Sequence, residues 1–240
     1  IHRGGKLSRQ NKQSWRTFLP LDYYELQKNM GFPISLNSYN DRLIIHHERA
    51  LFQTQDKAKL ESGLLGITLG TGDIFQFEPK MSLDTKLGYA GTQHELACCK
   101  IPIGYAFIDV EQGQLFILSQ EGLNDITDGL KQLMENYLNG NVLSNNPFIG
   151  HGVTIGWDER YKRLLVTVKG TNSYTFSYNS KRKAWAFAHD YIADMYFHTR
   201  TQLYSVKDNL IYRHNTGPYG QYYYNYDYVT RNTNPFFIDV

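Results

Sequence analysis

Short apolar segments, paired around turn residues, recur along almost the whole chain and constrain its fold more than any other feature. The clearest pair lies at residues 105–118 (YAFIDVEQGQLFIL), where two strand-like arms flank Glu111, Gln112 and Gly113. Apolar arms joined by a short glycine-containing loop are typical of a β-hairpin. Five further segments follow the same plan, at residues 43–52, 64–77, 153–168, 174–187 and 203–212. Six hairpins in series predict a mainly β fold with antiparallel strands.

A propeller-like arrangement fits this series of hairpins best. Four-stranded blades arranged radially would produce such a series and would also protect the edges of the sheets. The turns are unevenly spaced, so no strict repeat period is visible, and a sandwich or an open barrel stays an alternative. We therefore predict a mainly β fold of antiparallel hairpins that is propeller-like, with one amphipathic helix inserted.

The inserted helix is predicted at residues 124–138. Its apolar residues recur at helical spacing, and they are Ile126, Leu130, Leu133, Tyr137 and Leu138. Asn124 or Asp125 is the expected N-cap, and residues 139–140 (NG) are the expected C-terminal stop. A single helix of this kind inside a β chain is expected to pack on the core. A second, weaker helical turn is predicted at residues 22–30.

This helix divides the chain into three parts. We expect an N-terminal hairpin region at residues 1–120, the helix with its connecting loop at 121–150, and a C-terminal hairpin region at 151–240 that continues the same fold. The chain begins at Ile1 and ends on an apolar run at residues 236–240, which resembles a strand cut short. Isolated domains rarely end on such an exposed strand. We therefore expect the chain to be a fragment of a larger protein.

The charge and composition of the chain require neither a nucleic acid nor a membrane as a partner. Lys and Arg together number 25, Asp and Glu number 23, and the net charge is +2. No run of about 18 apolar residues could form a membrane span, and no signal peptide is visible. A disulfide between the adjacent Cys98 and Cys99 would be strained, so both are expected to be reduced thiols. Reduced thiols suit assembly in a reducing cytoplasm.

Histidine-containing motifs in the sequence do not complete a metal site. His94 and Glu95 resemble the start of an HExxH motif, but the second histidine is missing. Zinc needs three or four converging ligands, and His46 and His47 would lie on opposite faces of a strand. Residues 70–72 (GTG) do not continue as a dinucleotide-binding GxGxxG motif. The sequence therefore predicts no metal and no cofactor.

Glycoside hydrolysis is considered because β-propellers often carry glycosidases, and this reaction needs two carboxylates at a defined separation. The candidate carboxylates are Asp109, Glu111, Asp158, Glu159, Asp190 and Asp194. Glu111, Asp158 and Glu159 lie in predicted hairpin turns, where acidic residues are common as turn formers. Residues 177–185 (SYNSKRKAW) loosely resemble the aspartate-box hairpin of sialidases but lack its Asp and Gly. We therefore predict no catalytic residues and no enzymatic activity.

A tyrosine-rich stretch at residues 219–228 (YGQYYYNYDY) is the most unusual segment of the chain. Its six aromatic residues are Tyr219, Tyr222, Tyr223, Tyr224, Tyr226 and Tyr228. Tyrosine offers flat apolar area and a hydroxyl group at a low cost in conformational entropy. These tyrosines are a candidate contact surface for a neighbouring subunit or a glycan, with protein favoured over sugar. The alternative is an aromatic edge strand that packs on the core.

Several phrases of the sequence, taken in their order, carry a resemblance to a known family. They lie at residues 23–30 (YYELQKNM), 40–47 (NDRLIIHH), 51–54 (LFQT), 69–75 (LGTGDIF), 88–93 (GYAGTQ), 104–109 (GYAFID), 185–191 (WAFAHDY) and 203–215 (LYSVKDNLIYRHN). Together they resemble the tail muzzle proteins of crAss-like bacteriophages, which are similar in role to the tail nozzles of other short-tailed phages. The resemblance covers most of residues 20–215. It implies a structural virion protein without a catalytic motif.

The resemblance also implies an assembly and a set of partners. The expected role is that of a subunit of a ring, a hexamer, at the distal end of the tail, which gates and guides genome ejection. Expected partners are copies of the chain itself, the neighbouring tail ring and fibre proteins, and DNA in passage. The expected location is the virion tail, after assembly in the cytoplasm of the bacterial host. The alternative function is a glycan-binding or glycan-degrading adhesin of the tail.

Overall fold

The computed structural model describes residues 2–4, 13, 16–40, 42–54, 58–62, 65–69, 78–82, 85, 89–127, 129–138, 152–170, 173–189 and 191–216. In these residues the chain is mainly β, and every strand pairing is antiparallel, as the hairpin pattern predicts. The chain divides into two compact units, Ile1–Gly91 and Thr92–Val240. The predicted division around residues 121–150 stays a prediction.

In its described residues, the first unit contains three small sheets. Its strands are β1 (His2–Gly4), β2 (Phe18–Tyr23), β3 (Pro33–Tyr39), β4 (Arg42–His47), β5 (Leu51–Gln53), β6 (Ala58–Ser62), β7 (Leu65–Leu69) and β8 (Lys80–Met81). Strands β3, β4, β5 and β8 form a four-stranded sheet in that order, while β1–β2 and β6–β7 form two-stranded pairs. A core of Ile45, Ala50 and Phe52 lies under the four-stranded sheet.

Sequence predictions for the first unit are confirmed only in part. The hairpin at residues 43–52 is present, with Ile45 opposite Phe52 in strands β4 and β5. In the hairpin predicted at residues 64–77, strand β7 pairs with the preceding strand β6, and residues 70–77 lie outside the described residues. The predicted helical turn is limited to a 3-10 helix at Lys28–Met30. Tyr23, within the same prediction, belongs to β2, whose pairing with β1 fixes an extended backbone.

The part of the second unit that the structure describes contains three sheets of consecutive strands and one short helix. Its elements are β9 (Cys98–Ile101), β10 (Gly104–Asp109), β11 (Gln114–Ser119), β12 (Gly122–Asp125), α1 (Lys131–Leu138), β13 (Gly152–Asp158), β14 (Arg163–Lys169), β15 (Tyr174–Asn179), β16 (Ala184–His189), β17 (Met195–His198), β18 (Leu203–Lys207) and β19 (Leu210–Arg213). Strands β9–β12 form sheet I, β13–β16 form sheet II and β17–β19 form sheet III.

All four hairpins predicted in this unit are confirmed by strand register. Tyr105 lies opposite Leu118, and Gly113 at their turn has a φ of 64°, which glycine adopts without strain. The turn of the last hairpin is formed by Asp208 and Asn209, both with positive φ. Two central residues of positive φ are typical of a two-residue hairpin turn. The hairpins at residues 153–168 and 174–187 correspond to the β13–β14 and β15–β16 pairings.

Sheet II is buried on both faces because it packs between sheets I and III. On β14, Leu164, Val166 and Val168 belong to the core shared with sheet I, while Leu165 belongs to the core shared with sheet III. Successive side chains of a strand point to opposite faces, so this residue order requires apolar neighbours on both sides. Strand β13 also lies beside both β9 and β17. The first strands of the three sheets are therefore neighbours.

The predicted helix is shorter than expected, and its N-cap prediction is wrong. Asn124 and Asp125 belong to β12, where pairing with β11 satisfies their backbone groups. Asp125 accepts a hydrogen bond from the backbone N–H of Thr127 at 2.8 Å, so it caps the turn that follows the strand. Helix α1 begins at Lys131 and buries Met134, together with Leu138, against the core of sheets I and II.

Two further parts of the helix prediction have different outcomes. Leu133, predicted on the apolar face, is 39% exposed because Met134 takes the buried position. The side chain of Tyr137 and the predicted stop at residues 139–140 lie outside the described residues. The described sheets do not by themselves identify a propeller, so that finer architecture stays a prediction.

Candidate functional site

The predicted tyrosine contact surface lies outside the described residues. Its members all follow Thr216, the last residue that the structure describes, and they are Tyr219, Tyr222, Tyr223, Tyr224, Tyr226 and Tyr228. Their role therefore stays a prediction. The described polar groups that could carry chemistry lie mostly in the second unit, at hairpin turns or between sheets II and III.

Asp109 and Glu111 lie at the turn between β10 and β11. The buried carboxylate of Asp109 accepts hydrogen bonds from Nε2 of Gln93 at 3.0 Å, from the backbone N–H of Gln112 at 3.2 Å and from Nε2 of Gln112 at 2.8 Å. Glu111 is exposed, and its backbone N–H donates to Oε1 of Gln93 at 3.3 Å. Both oxygens of Asp109 are thus engaged by neighbouring donors, which is the arrangement of a turn organiser.

Asp158 and Glu159 have the same structural role at the turn between β13 and β14. Asp158 is buried and accepts hydrogen bonds from Nε of Arg163 at 3.2 Å and from Nδ2 of Asn215 at 3.1 Å. Glu159 accepts a hydrogen bond from Nε1 of Trp157 at 2.7 Å. Asn215 follows β19, so Asp158 also ties sheet III to the turn of sheet II. These contacts support the interpretation of both acids as turn residues.

Asp194 and Lys169 form a buried ion pair between sheets II and III. Asp194 precedes β17 and also accepts a hydrogen bond from the backbone N–H of Asp208 at 3.1 Å, while Nζ of Lys207 lies 4.0 Å away. Burial lowers the pKa of Lys169, although its hydrogen bond and charge interaction with Asp194 act in the opposite direction. The pair therefore joins the end of β14 to sheet III. Asp190, the remaining candidate carboxylate, lies outside the described residues.

Two buried serine–histidine pairs lie near the sheet II–sheet III boundary. Oγ of Ser177 lies 3.1 Å from Nε2 of His189, and Oγ of Ser205 lies 2.7 Å from Nε2 of His214. The ring of Tyr191 lies close to both imidazoles, with centroid separations of 5.3 Å to His189 and 5.6 Å to His214. The sequence nominates no partner for either serine, because each histidine lies on a different strand or turn.

The electrostatics of these pairs do not suit nucleophilic catalysis. A serine nucleophile needs an adjacent base that accepts its proton and a path for the substrate. Burial, with smaller contributions from the charges of Arg163 and His189, lowers the pKa of His214 to about 4. Ser205 and Ser177 are both fully buried. The pairs are therefore packed hydrogen-bonding groups of the protein interior.

A chain of hydroxyl groups connects sheets II and III beside these pairs. The Tyr196 hydroxyl and Oγ1 of Thr167 are 2.7 Å apart, and Oγ1 of Thr167 lies 2.7 Å from Oγ1 of Thr175. Thr175 then donates to the backbone carbonyl of Tyr191 at 2.6 Å. Burial raises the pKa of Tyr196 to about 12, so the hydroxyl keeps its proton and can donate it to this chain. Such satisfied polar networks fix the packing of two layers.

The histidines considered as metal ligands are buried within the fold, and two of them have structural hydrogen bonds. Nδ1 of His94 accepts a hydrogen bond from the backbone N–H of Val153 at 3.1 Å, which joins residue 94 to β13. Nδ1 of His47 donates to the carbonyl of Gly31 at 3.0 Å. Burial lowers the pKa of His46 to about 3, with a smaller contribution from His47. Within the described residues, no group of three or more His, Cys, Asp or Glu side chains could hold a metal ion.

The two cysteines are free thiols, as the sequence predicts. Burial, with a smaller contribution from Cys98, raises the pKa of Cys99 to about 12. A thiol of that pKa is almost entirely protonated near neutral pH and is a poor nucleophile. Cys98 donates a weak hydrogen bond to the carbonyl of Glu95 at 3.5 Å. Cys99 therefore acts as a small apolar residue of the core.

Taken together, the polar groups of the second unit hold its sheets together. Sequence reasoning missed the Lys169–Asp194 pair and the serine–histidine pairs, because each joins residues that are separated by a turn or by a whole strand. A signal was present only in the apolar pattern of β14, where Thr167 and Lys169 interrupt a buried run. A buried polar residue generally has a hydrogen-bonding or charged partner, so Thr167 and Lys169 could have indicated polar contacts in the interior.

One comparison with known proteins gives a match that covers most of the chain. A family model described as Crassvirus muzzle protein matches residues 5–209 of the chain. A search of the curated proteins finds no match. In the part of the chain that the structure describes, no helix has the length and apolar character needed to cross a membrane.

Proposed function

The chain belongs to the Crassvirus muzzle protein family, a structural component of the phage tail, and on that premise we propose that it is a subunit of a ring at the distal end of the tail. In this proposal the ring gates and guides the ejection of the genome. The family match carries the proposal because it spans residues 5–209, which is most of both units.

A role without catalysis is supported by the state of the polar groups. Asp109 and Asp158 are occupied by the donors of their own turns, and the serine–histidine pairs are buried. A catalytic group must reach its substrate within hydrogen-bonding distance. We therefore propose that the chain acts through its surfaces and its assembly.

A propeller-like architecture is supported by three features of the second unit. Its sheets are meanders of consecutive strands, they pack face to face, and their first strands β9, β13 and β17 are neighbours. Radially arranged blades have all three features, and this arrangement leaves few exposed edges. We further propose that residues 121–150 connect an N-terminal β region, 1–120, to a C-terminal one, 151–240, of one continuous fold.

The proposed partners are copies of the chain in a ring, a hexamer, together with neighbouring tail ring and fibre proteins. DNA would pass through such a ring without binding to it. The net charge of +2 agrees with weak adhesion, because affinity for DNA depends mainly on the number of phosphates that basic residues neutralise. Assembly in the host cytoplasm agrees with the two free thiols.

The six tyrosines at residues 219–228 are proposed to contact protein. A glycan-binding adhesin is the competing function, since stacked aromatic rings suit both partners. The tyrosine stretch favours neither by composition alone, so the two functions differ in what the stretch binds.

Imaging of labelled virions tests the proposed location and ring. An epitope tag in the chain, decorated with antibody fragments, should appear at the distal end of the tail in several copies around the tail axis. Averaged images should show a closed ring with a central channel. Label on the capsid or along the fibres, or a single copy per tail, would contradict the proposal.

A further inference from the structure

Four loops at one end of sheets II and III carry a concentration of positive charge. They are the β13–β14, β15–β16 and β17–β18 turns and the residues that follow β19. Consecutive antiparallel strands place every second turn at the same end of a sheet, so the first two of these turns are neighbours. Residues 158–163, 179–184, 199–202 and 213–216 contain eight basic residues and two acidic ones. The whole chain has a net charge of only +2, so this end is much more basic than the rest.

Hydrogen bonds connect the four loops into one continuous surface. The backbone N–H and Oγ of Ser180 donate to the carbonyl of Lys162 at 3.0 Å and 2.8 Å, which joins the two turns of sheet II. Nη1 of Arg160 donates to the carbonyl of Asn215 at 2.9 Å, which joins sheet II to the end of β19. The side chain of Gln202 donates to the carbonyl of the residue before Asn215, which adds the β17–β18 turn.

Most basic side chains of this surface are exposed and have no acidic partner. In the part of the chain that the structure describes, six of them form no ion pair. The two acids of this end are already engaged, Asp158 by Arg163 at 3.2 Å and Glu159 by Lys162. The six exposed residues, which we call the basic edge, are Arg160, Lys181, Arg182, Lys183, Arg200 and Arg213.

Part of the basic edge is held in position by its own loops. The guanidinium group of Arg160 lies 5.7 Å from the centroid of the exposed Tyr161 ring, and the guanidinium group of Arg163 lies 4.9 Å from the same centroid. Nε of Arg213 donates to Oγ1 of Thr216 at 3.4 Å. Side chains that are fixed in advance lose less conformational entropy on binding. The basic edge is therefore partly preorganised for a partner.

The composition of the basic edge suits a protein partner. Arginine and tyrosine are enriched at protein–protein interfaces and among the residues that contribute most to binding, and this edge combines four arginines with the Tyr161 ring. Arginine can pair with a carboxylate through two parallel hydrogen bonds. DNA passes through the proposed ring without binding, whereas a basic edge in the channel would retain it, because each phosphate contact adds affinity.

A second copy of the chain is a less suitable partner in a ring. The exposed acids of sheet I, Glu111 and Asp125, lie at the end of that sheet where Nε1 of Trp185 donates to the carbonyl of Ile126 at 2.8 Å. Trp185 follows the β15–β16 turn, so these acids lie at the same end of the second unit as the basic edge. A ring joins two different faces of neighbouring copies head to tail, so these acids would not meet the basic edge of the next copy.

We propose that the basic edge is a docking surface for an acidic surface of a different protein of the tail, whose Asp and Glu carboxylates pair with the arginines and lysines of the edge. The inference rests on the proposed function, because location in the tail supplies the neighbour. It deepens that function by giving the surface and the chemistry of one contact.

Carbodiimide crosslinking of purified virions tests this contact in the assembled particle. The reagent joins a lysine amine to a carboxylate beside it as an amide, with no spacer. We expect mass spectrometry to find Lys181 or Lys183 linked to an Asp or Glu of another tail protein. Lys131 is the internal control, because it lies 3.8 Å from Glu135 and should be linked to it within the chain.

The same experiment can overturn the proposal. Lys131 links without any link from Lys181 or Lys183 to another tail protein would do so, and links from these lysines to this chain's own sequence would favour a second copy. Label outside the tail in the imaging experiment would contradict the proposed function itself. A labelled ring at the tail tip without links from the basic edge would contradict only this inference.

Charge reversal provides a second measurement in the full chain. Lys181→Glu with Arg182→Glu should lower the incorporation of the chain into tails by about tenfold or more, because like charges facing each other at an interface are strongly unfavourable. Lys100→Glu with Lys131→Glu makes the same change in net charge at exposed positions outside the basic edge and should have little effect. Thermal unfolding of both purified variants shows whether either has lost its fold. Equal incorporation of the two variants would overturn the proposal.

DNA binding by the purified chain separates the competing partner. Fluorescence anisotropy with double-stranded DNA should show weak binding that is similar for the wild-type chain and the Lys181→Glu, Arg182→Glu variant. Tight, salt-dependent binding that this variant loses would overturn the proposal in favour of DNA as the partner of the basic edge.

Discussion

The ring of Tyr196 lies directly over Gly156, so closely that a Cβ added at residue 156 would come within 2.5 Å of the Tyr196 Cγ atom. Gly156 lies on β13 and Tyr196 on β17, so this contact sets the distance between the first strands of sheets II and III. A side chain larger than hydrogen at residue 156 would push these strands apart.

Gly156→Ala should therefore destabilise the protein by about 1–3 kcal/mol, the usual cost of overpacking a core. Urea unfolding at neutral pH measures the change. The added Cβ would also come within 2.5 Å of the Tyr196 Cβ atom, so the matched background is Tyr196→Gly, which removes both atoms and in which the same alanine should cost much less. An equal cost in both backgrounds would show that Gly156 is required for another reason.

The hydroxyl group of Tyr196 should stabilise the fold independently of the packing of its ring. Tyr196→Phe keeps the packing and removes the hydrogen bond with Thr167 at 2.7 Å, which leaves a buried threonine hydroxyl with one partner fewer. We expect a loss of about 1–2 kcal/mol in the free energy of unfolding. Tyr161→Phe is the control, since Tyr161 is 51% exposed and its ring contact with Arg163 persists. A loss at Tyr161 as large as at Tyr196 would contradict the buried network.

Removal of one partner of the buried ion pair should be more severe. Asp194→Asn leaves the ammonium group of Lys169 buried without its nearest counter-charge, a change that typically costs about 3–5 kcal/mol. Glu135→Gln removes an exposed ion pair with Lys131 on α1 and should change stability by less than about 1 kcal/mol. Thermal unfolding of both variants provides the comparison. Similar losses for the two variants would show that Lys169 is not desolvated.

As the pH falls, the stability of the folded protein should begin to decrease before most carboxylates are protonated. The folded-state pKa of His214 is about 4, below the ordinary value of 6.5. Near pH 7 the histidine is neutral in both states. As the pH falls from about 6.5 to about 4, the unfolded chain binds a proton that the folded chain does not, so stability decreases. A shift of this size corresponds to on the order of 3 kcal/mol for this one residue.

Replacement of His214 by a side chain that does not titrate tests how much of the loss of stability in acid comes from this residue. His214→Gln can keep a hydrogen bond to Ser205 and should give a flatter dependence of stability on pH between 6.5 and 4. Unfolding in urea at several pH values measures the slope for both proteins. An unchanged slope would assign the acid sensitivity to other groups, such as His46, whose pKa is lowered to about 3 by burial.

Substitution of the central tyrosines distinguishes the structural function from a glycan-binding one. Tyr222→Ala, Tyr223→Ala and Tyr224→Ala together should disturb assembly of the tail, because they remove three large contact side chains. Binding of virions or purified protein to host polysaccharide should be unaffected. Loss of polysaccharide binding with normal assembly would favour the adhesin. No change in either property would leave the stretch as ordinary packing.

The sequence predicts the local features of the fold better than the contacts between its layers. The hairpin at residues 105–118 can be recognised in the sequence because two apolar arms and Gly113 lie within fourteen residues. Residues 124–125 misled the helix prediction, since an Asn-Asp pair suits an N-cap as well as a strand end, and only pairing with β11 decides between them. Strand β6 (AKLES) has few apolar residues, so its sequence did not predict that it would pair with β7.

In the candidate site, too, the contacts between distant residues could not be predicted from the sequence. Ser205 and His214 lie nine residues apart, yet their contact depends on the register of β18 and β19 and on the burial that sheet II provides. The Lys169–Asp194 pair depends on how two separate sheets pack. Neither arrangement follows from the spacing of residue types, because many spacings bring a serine near a histidine and few bury both.

The stacking of sheets I, II and III in chain order has a consequence for how the protein forms. Each sheet is made of consecutive strands, so the strand pairings within a sheet join segments that are close in sequence, and sheet II packs on sheet I as sheet III packs on sheet II. Hairpin pairings of this kind close short loops, which favours rapid formation of each sheet. Each new sheet can dock on one already formed as the chain leaves the ribosome. Synthesis itself would then set the order of assembly, from β9 towards β19.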